Sequence, residues 1–384
     1  MQSLPRKEKA MNAQFTLGIE EELQMVDRHT GQLVSHIHTI LDKGRLTFGD
    51  NIKAEKLQCF VELNTHICPN ITALRLDLQQ KINTLAQLLE EDGLAFIRAG
   101  THPTSHWQDQ HLTRQHRYEK VLEEYQDVSR STMVFGLHVH VGIGQQEMAI
   151  PLINQLRTWL PHLLALSSNS PFWAGRNSGI KSYRPVIWRT YPRTGIPHAF
   201  TSTAEFDRYV GDLVKSGCID NAKKIWWDIR PHPFFKTIEF RVCDMPATIE
   251  DSVALAALCQ ALVAKLSWLY ARNIQTIVFP SHYIEENKWR AARYGLDAQI
   301  IDFGHNRRLS MRESISDLLD FVDDVLDDLN IRREIHYLRA LLEDPRGTGA
   351  DRQLAIYSET NDANTVTDYL LQTAMEDIAL DPVH

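Results

Sequence analysis

Cysteine is scarce in this chain, with five residues among 384. The five are widely scattered and form no C-x-x-C pair; they are Cys59, Cys68, Cys218, Cys243 and Cys259. This pattern argues against a disulfide framework and against a thiolate zinc site. A reducing compartment, the cytoplasm, fits such cysteine use best.

An excess of positive charge and a long uncharged apolar run are also lacking. The formal net charge of −8 disfavours a nucleic-acid partner. The most apolar stretch, residues 249–270, carries Glu250, Asp251 and Lys265, so we predict a buried helix and no membrane span. Residues 1–14 are polar and basic without the apolar core of a signal peptide, which predicts a flexible N-terminal tail.

No repeat of fixed period and no low-complexity linker divides the chain, so residues 15–384 are predicted to form a single domain. Strand-like alternation occurs near 15–25, 58–64, 133–143, 225–230 and 236–243, and helical spacing dominates 71–92, 147–166, 249–272 and most of 313–378. Strands and helices do not alternate regularly, which favours an α+β fold with an antiparallel or mixed sheet covered by helices on one side. The phosphate-binding patterns G-x-x-x-x-G-K-[ST] and G-x-G-x-x-G are absent, so any nucleotide must be held in another way.

What the chain does contain is a set of strands with charged side chains on one face. In the segment 17–23, Glu20 and Glu22 alternate with apolar residues, whereas Glu21 falls on the apolar side. Two carboxylates at positions i and i+2 repel each other. A role in binding a cation therefore explains the pair better than a contribution to folding stability does.

The segment 133–143 alternates more regularly and places His138 and His140 opposite its apolar residues, flanked by Gly136 and Gly142. Glycines leave room for a ligand, and a neutral imidazole can bind a metal ion or a phosphate. The same alternation places Thr237, Glu239 and Arg241 on one face of their strand, and Trp226, Asp228 and Arg230 on one face of another. In the segment 60–64 it places Glu62 on the face opposite the apolar residues.

An antiparallel sheet with one solvated face would show this alternation without any chemistry. Solvated faces are usually built from Thr, Lys and Ser, whereas this face repeats carboxylate, imidazole and guanidinium groups. Carboxylates are hard oxygen ligands for Mg²⁺, and planar guanidinium groups suit phosphate oxygens. The combination favours phosphoryl chemistry with ATP and Mg²⁺, in which catalysis is mainly positioning and charge stabilisation.

Seven motifs carry a family resemblance: G-I-E-E-E at 18–22, V-E-L-N-T at 61–65, F-G-L-H-V-H-V-G at 135–142, S-N-S-P-F at 168–172, W-D-I-R-P at 227–231, I-E-F-R at 238–241 and W-R-A-A-R-Y-G at 289–295. With them the chain resembles the glutamate–cysteine ligase superfamily, and most closely its YbdK-type carboxylate–amine ligases, also called type 2 glutamate–cysteine ligases. The match covers most of the chain, and the motifs together are highly specific.

The resemblance implies a glutamine-synthetase-like fold, in which a curved, largely antiparallel sheet forms a cup with helices packed on its outer face. Residues 15–384 would then be a single catalytic domain. It also implies ATP and Mg²⁺, with Mn²⁺ as an alternative. In the implied reaction the γ-carboxylate of glutamate is phosphorylated to an acyl phosphate, which an amine converts into an amide. Activity on cysteine is expected to be weak.

The resemblance further implies four groups of site residues. The expected metal ligands are Glu20, Glu22, Glu62, His138 and Glu239. The expected catalytic residues are Arg241, Glu239 and Arg230, and the expected nucleotide-binding residues are Arg241, His140, Asp228 and Arg230. His140 replaces an Asn of better-studied ligases, which leaves its role open. The expected substrate-binding residues are Arg117, Tyr118, Arg176, Tyr183, Arg184 and Arg189.

Other functions stay open from the sequence alone. His138 and His140 with nearby carboxylates would suit a metal-dependent hydrolase, which needs no ATP. An Arg-lined phosphate site would suit a phosphagen-kinase-like phosphotransferase, and a nucleotide-binding protein could keep the pocket without turnover. The His-rich segment 102–116 could bind zinc, although a lid or substrate loop is favoured. The expected partners are small-molecule substrates, with a homodimer as the commonest assembly by base rate.

Overall fold

The computed structural model describes residues 14–379, so residues 1–13 of the predicted tail lie outside the described residues. The strands are β1 Leu17–Asp27, β2 Ile52–Ala54, β3 Phe60–Asn64, β4 Leu94–Ile97, β5 Gly136–Gly142, β6 Phe172–Trp173, β7 Arg176–Asn177, β8 Thr194–Gly195, β9 Trp226–Trp227, β10 Ile229–Pro231, β11 Thr237–Asp244, β12 Gln299–Asp302 and β13 Arg307–Ser310. The α-helices are α1 Ile37–Phe48, α2 Ile71–Glu90, α3 His116–Ser131, α4 Ala149–Leu156, α5 Leu160–Leu166, α6 Arg184–Trp188, α7 Thr203–Lys215, α8 Ile249–Tyr270, α9 Ser281–Tyr294, α10 Met311–Phe321, α11 Leu326–Leu329, α12 Arg332–Glu343, α13 Gly349–Thr360 and α14 Ala363–Ala379.

Seven strands form the main sheet. Their order is β10-β11-β5-β1-β3-β2, and β4 pairs with the C-terminal end of β1. Every pairing within this sheet is antiparallel. The predicted α+β class with a largely antiparallel sheet is therefore confirmed.

Alternating residues divide the sheet into a core face and a polar face. On β1, Leu17, Ile19 and Leu23 are at most 1% exposed and join the hydrophobic core. Helix α8 packs behind β5 and β1. Among residues 14–379 it is the one helix long and apolar enough to cross a bilayer, yet 94% of its most apolar stretch is buried in the fold. The prediction of a buried helix is confirmed.

Two predicted elements are interrupted. The helix expected over 147–166 is split into α4 and α5 by a 3₁₀ turn at 157–159, since Pro161 lacks the N–H that a continuous helix would need. The strand expected over 225–230 is split into β9, which pairs with β8, and β10, which joins the main sheet. Asp228 lies between β9 and β10, and the shared face predicted for Trp226, Asp228 and Arg230 stays a prediction.

Candidate active site

The register of the central strands places charged side chains from distant segments next to one another. Glu20 on β1 is paired with His138 on β5, and His140 on β5 is paired with Glu239 on β11. At the adjacent edge of β1, Glu22 is paired with Glu62 on β3. Directly paired residues of neighbouring strands project to the same face of a sheet. Four separate chain segments therefore contribute to one polar face.

The first group on this face, the histidine cluster, consists of Glu20, His138, His140 and Glu239. Ligand atoms of Glu20, His140 and Glu239 all lie within 4.8 Å of one another. Glu20 Oε2 lies 3.0 Å from His138 Nδ1, and its Oε1 lies 3.4 Å from His140 Nε2. Burial alone would raise the pKa of Glu20, but hydrogen bonds to the two imidazoles hold it well below its usual range.

His138 offers a ring nitrogen suited to a metal ion. Burial, aided by the charge of Arg241, lowers the pKa of His138 to about 4, so its imidazole is neutral near pH 7. Its Nδ1 contacts Glu20, while its Nε2 is buried without a hydrogen-bond partner among the described residues. A neutral His that donates from Nδ1 to a carboxylate presents the Nε2 lone pair, which is the usual state of a metal-binding imidazole.

Within residues 14–379, the group of Glu20, His140 and Glu239 is the one set of three or more His, Cys, Asp or Glu side chains with metal-ligand spacing. The His-rich segment 102–116 forms no such set. His102 is instead buried, with its Nε2 2.9 Å from the Gly31 carbonyl. The zinc alternative for that segment therefore lacks support.

Two guanidinium groups hold Glu239 in place. Arg230 donates to both carboxylate oxygens, at 2.7 and 3.1 Å, and also to the carbonyls of Lys223 and Ile225. Arg241 donates to the same carboxylate, but its buried Nε has no partner among the described residues. Burial would raise the pKa of Glu239, yet the charges of Arg230 and Arg241 hold it well below its usual range. Arg230 is committed to the protein, whereas Arg241 keeps a donor for a ligand.

A second group, the carboxylate cluster, consists of Glu22, Glu55 and Glu62. Burial and the charges of Glu62 and Glu22 raise the pKa of Glu55 well above its usual range. Burial also raises the pKa of Glu22. Lys53 Nζ lies 3.2 Å from Glu62 Oε1. Acids held this close favour either a shared proton or a divalent cation in its place.

Glu55 is the member of this cluster that the alternation of strand residues misses. It lies in the turn between β2 and β3, where no strand periodicity applies. The sequence signal that could have identified Glu55 as a site residue is weak. Glu55 is a single carboxylate seven residues before Glu62, in the turn that leads into the strand carrying Glu62.

Two of the predicted substrate residues, Arg117 and Tyr118, lie beside the carboxylate cluster. Arg117 Nη2 and the Tyr118 hydroxyl both donate to the Ala54 carbonyl, at 2.9 and 2.8 Å. Burial and the charge of Glu55 raise the pKa of Tyr118. The first turn of α3 therefore covers this cluster.

Arg184 approaches the same acids across Gly136. A Cβ atom at Gly136 would lie 2.3 Å from Arg184 Nη2, so glycine is needed for the guanidinium to pass. Arg184 Nη1 donates to the Arg241 carbonyl at 3.2 Å. Burial raises the pKa of Glu22, and the charge of Arg184 opposes that rise. Arg184 thus supplies positive charge next to Glu22.

Asp228, expected to bind nucleotide, has a different partner. Its carboxylate lies 2.6 Å from Lys288 Nζ, and both side chains are buried. The Asp228 N–H bonds to the Gly195 carbonyl of β8, and the Asp228 carbonyl accepts from the Arg241 N–H of β11, so its backbone stays paired on both sides. The nucleotide-binding role expected for Asp228 stays a prediction.

Three predicted substrate residues make other contacts. Arg189 donates to the Thr194 carbonyl and lines a separate cavity of about 800 Å³ with Glu285. The Tyr183 ring packs at a tilt against Trp173. Arg176 is exposed on β7, where it is paired with Trp173 of β6.

The S-N-S-P-F segment has a structural role. The hydroxyls of Ser170 and Ser182 donate to Asp244, at 2.7 and 2.9 Å, and the Asn169 N–H donates to the same carboxylate at 2.9 Å. All four residues are buried. These polar groups hold the loop against the end of β11.

A cavity of about 610 Å³ opens beside the histidine cluster. Glu20, His140, Phe234 and Phe235 are among its lining residues. The two Phe side chains are 63% and 60% exposed, which is unusual for rings of this size. Apolar walls next to a charged cluster suit a ligand with a flat ring and a charged tail.

The sequence profile described as "Glutamate-cysteine ligase family 2" matches residues 16–372. The chain belongs to this family. A family member from Roseiflexus sp. (strain RS-1), named "Putative glutamate--cysteine ligase 2", is 48% identical over 364 residues, which cover 95% of this chain and 96% of that protein. A protein of the same name from Solibacter usitatus (strain Ellin6076) is 45% identical over 359 residues and covers 93% of both chains.

Two solved structures share the fold of this family 2 protein at low sequence identity. A bifunctional glutathione synthetase from Pasteurella multocida matches 97% of this chain and 53% of its own, with a TM-score of 0.73 and 13% identity. A glutamate–cysteine ligase from Francisella tularensis, in complex with AMP, matches 96% of this chain and 90% of its own, with a TM-score of 0.71 and 12% identity. The expected ligase fold is confirmed, and family membership makes the chain a carbon–nitrogen ligase.

Proposed function

We propose that this family 2 ligase uses ATP and Mg²⁺ to join the γ-carboxylate of glutamate to an amine through an acyl phosphate. The observation that carries the proposal is the convergence of the histidine and carboxylate clusters on one face of the sheet. The relatives are named for glutamate–cysteine ligation, and we expect cysteine to be a weak acceptor. Because these clusters draw on residues from 20 to 239, residues 15–384 are proposed to act as one catalytic domain.

The 610 Å³ cavity suits the base and ribose of ATP. Phe234 and Phe235 offer ring faces against which a purine can stack. The triphosphate would then extend past Glu20 and His140 toward Arg241. The unpartnered Nε of Arg241 supports a phosphate contact, since a guanidinium fork fits phosphate oxygens.

The donor atoms of the two clusters suit divalent cations. Glu20, His138 and Glu239, with His140 at ligand distance from the two carboxylates, would hold one Mg²⁺. Glu22, Glu55 and Glu62 do not have metal-ligand spacing in this structure and would have to move closer together to hold another ion. Oxygen-rich donor sets suit this hard cation and also Mn²⁺. When bound, such ions neutralise charge on the phosphoryl group in transfer. Arg230 keeps Glu239 ionised and aligned for this role.

The side chains supply positioning for two substitution steps. In the first step, a carboxylate oxygen attacks the γ-phosphorus and ADP leaves, giving the acyl phosphate. In the second step, the amine nitrogen attacks the acyl carbon and phosphate leaves. Arg117 and Arg184 place positive charge where two anionic substrates must approach buried acids, which lowers the electrostatic cost of bringing them together.

Purified protein with ATP, Mg²⁺, glutamate and a panel of amines tests the proposal. ADP release that requires both glutamate and an amine, with an amide product identified by mass, supports it. Bound zinc with ATP-independent hydrolysis would support the hydrolase instead. A stable phosphorylated product would support a phosphotransferase, and ATP binding without turnover would support a non-catalytic protein.

A further inference from the structure

Four aromatic residues, Tyr125, Trp188, Tyr191 and Trp226, form an aromatic cluster near the carboxylate cluster. The Tyr191 ring centre lies 5.1 Å from that of Tyr125 and 5.3 Å from those of Trp188 and Trp226. Tyr191 is buried, whereas the other three side chains are only partly buried. The cluster therefore leaves ring surface open, unlike rings enclosed in a core.

Helix α3 connects the aromatic cluster to the carboxylate cluster. Tyr118 and Tyr125 are seven residues apart on α3, so they lie on one side of the helix about two turns apart. The Tyr118 hydroxyl donates to the carbonyl of Ala54, directly before Glu55. One side of α3 thus extends from the acids to the aromatic rings.

Lys56 provides a second connection. It follows Glu55 in the chain, and its Nζ donates to the carbonyls of Ser129 and Thr132 at the C-terminal end of α3. The same Nζ lies 5.7 Å from the Tyr191 ring centre. Lys56 and one side of α3 therefore join the carboxylate cluster to the aromatic cluster.

The charges at the edge of the aromatic cluster restrict which side chain fits. The Arg193 guanidinium carbon lies 5.7 Å from the Trp226 ring centre, and Arg193 Nη2 donates to the Tyr125 hydroxyl at 2.6 Å. The Arg193 guanidinium therefore already occupies a cation–π position over Trp226. A cationic side chain would be repelled, whereas a neutral aromatic ring gains stacking contacts.

We propose that the amine acceptor of this ligase carries an aromatic side chain, as in an arylalkylamine or an aromatic amino acid. The inference rests on the proposed function and specifies its second substrate. In the transfer step the nitrogen lone pair forms the C–N bond while the C–O bond to phosphate breaks. Phosphate leaves with the bonding electrons, and the nitrogen releases a proton to solvent to give a neutral amide.

A comparison of acceptors with ATP, Mg²⁺ and glutamate tests this inference. We expect kcat/KM for phenethylamine or phenylalanine to exceed that for cysteine and putrescine by about tenfold or more. Phenylalanine carries a carboxylate and phenethylamine does not. The difference between their kcat/KM values therefore shows whether the carboxylate of the acceptor contributes to its recognition. A preference for cysteine or putrescine overturns the inference and leaves the proposed function standing. ADP release with none of the amines refutes the proposed function and the inference with it.

Variants of Trp226 separate a substrate contact from simple packing. We expect Trp226→Leu to raise the KM for the aromatic acceptor about tenfold without changing the KM for ATP, and Trp226→Phe to retain most of the wild-type value. The matched control is Trp268→Leu, because Trp268 on α8 is also partly exposed and contacts Lys265 and Arg272. A Trp226→Leu protein with a lower Tm but an unchanged acceptor KM would show that the rings only pack, and would overturn the inference.

Discussion

Arg98 and Glu21 form a buried ion pair behind the strand that supplies Glu20 and Glu22. Arg98 Nη2 lies 2.6 Å from Glu21 Oε1, and the two side chains are 1% and 0% exposed. The same Arg98 nitrogen also donates to Ser252 Oγ at 3.1 Å, which fastens β1 to helix α8. This pair explains why a carboxylate stands on the apolar side of β1.

We predict that Glu21→Gln lowers the free energy of unfolding by about 3–5 kcal/mol, because it leaves the Arg98 charge unpaired in the core. Urea denaturation measures the change. Removing both charges, in the double variant Glu21→Leu with Arg98→Met, should recover most of the loss. Asp327→Asn is the control, since it breaks an exposed pair with Arg332 and should leave the curve unchanged. A Glu21→Gln protein as stable as wild type would contradict this account.

Loss of the Glu20 carboxylate and loss of the Glu239 carboxylate should differ in their effect on thermal stability. Glu20 is 25% exposed in its side chain, whereas Glu239 is 1% exposed between Arg230 and Arg241. Both Gln variants should lose Mg²⁺-dependent turnover by about 100-fold or more, since even partners of metal ligands cost about 10–100-fold. Glu20→Gln should keep the wild-type Tm, and Glu239→Gln should lower it because two guanidinium groups then repel each other. ADP-release assays and thermal melts check both; a fully active Glu20→Gln protein would refute its role.

Arg241→Lys should raise the KM for ATP. Lysine keeps the positive charge beside Glu239 but cannot reproduce a planar two-point phosphate contact. Initial rates at varied ATP concentration measure the effect, with Arg332→Lys on the exposed surface as the control. An unchanged KM and kcat for Arg241→Lys would exclude the phosphate contact.

Glu55→Gln tests the residue that the strand alternation misses. The variant should need about tenfold or more Mg²⁺ for half-maximal rate, because it removes a candidate ligand from the carboxylate cluster. Without metal its stability near pH 7 should not fall, since the raised pKa of Glu55 shows that burial and neighbouring acids disfavour its ionised form. Glu123→Gln, an exposed change on α3, is the control. The same Mg²⁺ requirement in Glu55→Gln and wild type would remove Glu55 from the site.

The alternation of strand residues predicts the face that carries Glu20, Glu22, His138 and Glu239, because paired antiparallel strands keep side chains of one parity on one side. It fails where the chain leaves regular structure. Glu55 lies in a turn between β2 and β3, where no strand alternation exists. Contacts between distant segments, such as Ser170 with Asp244, have no periodic signal at all.

Asp377 makes the free energy of unfolding of the protein depend on pH. It lies in the last turn of α14, is 7% exposed, and accepts the Ile249 N–H at the start of α8 at 2.8 Å. Burial raises the pKa of Asp377 to about 6, against the opposing charge of Arg98. Between about pH 4 and pH 6 the folded chain therefore holds a proton that the unfolded chain has released.

This proton makes the stability contribution of Asp377 fall as pH rises through that window, by about 3 kcal/mol in total, and stay constant above it. Asp377→Asn keeps a hydrogen-bond acceptor but cannot ionise, so it lacks this term. Urea denaturation at pH 4.5, 5.5, 6.5 and 7.5 should show the variant gaining stability relative to wild type up to about pH 6.5 and no further. Parallel stability curves for the two proteins would mean that Asp377 has the same pKa folded and unfolded, and that its burial between α14 and α8 carries no electrostatic cost.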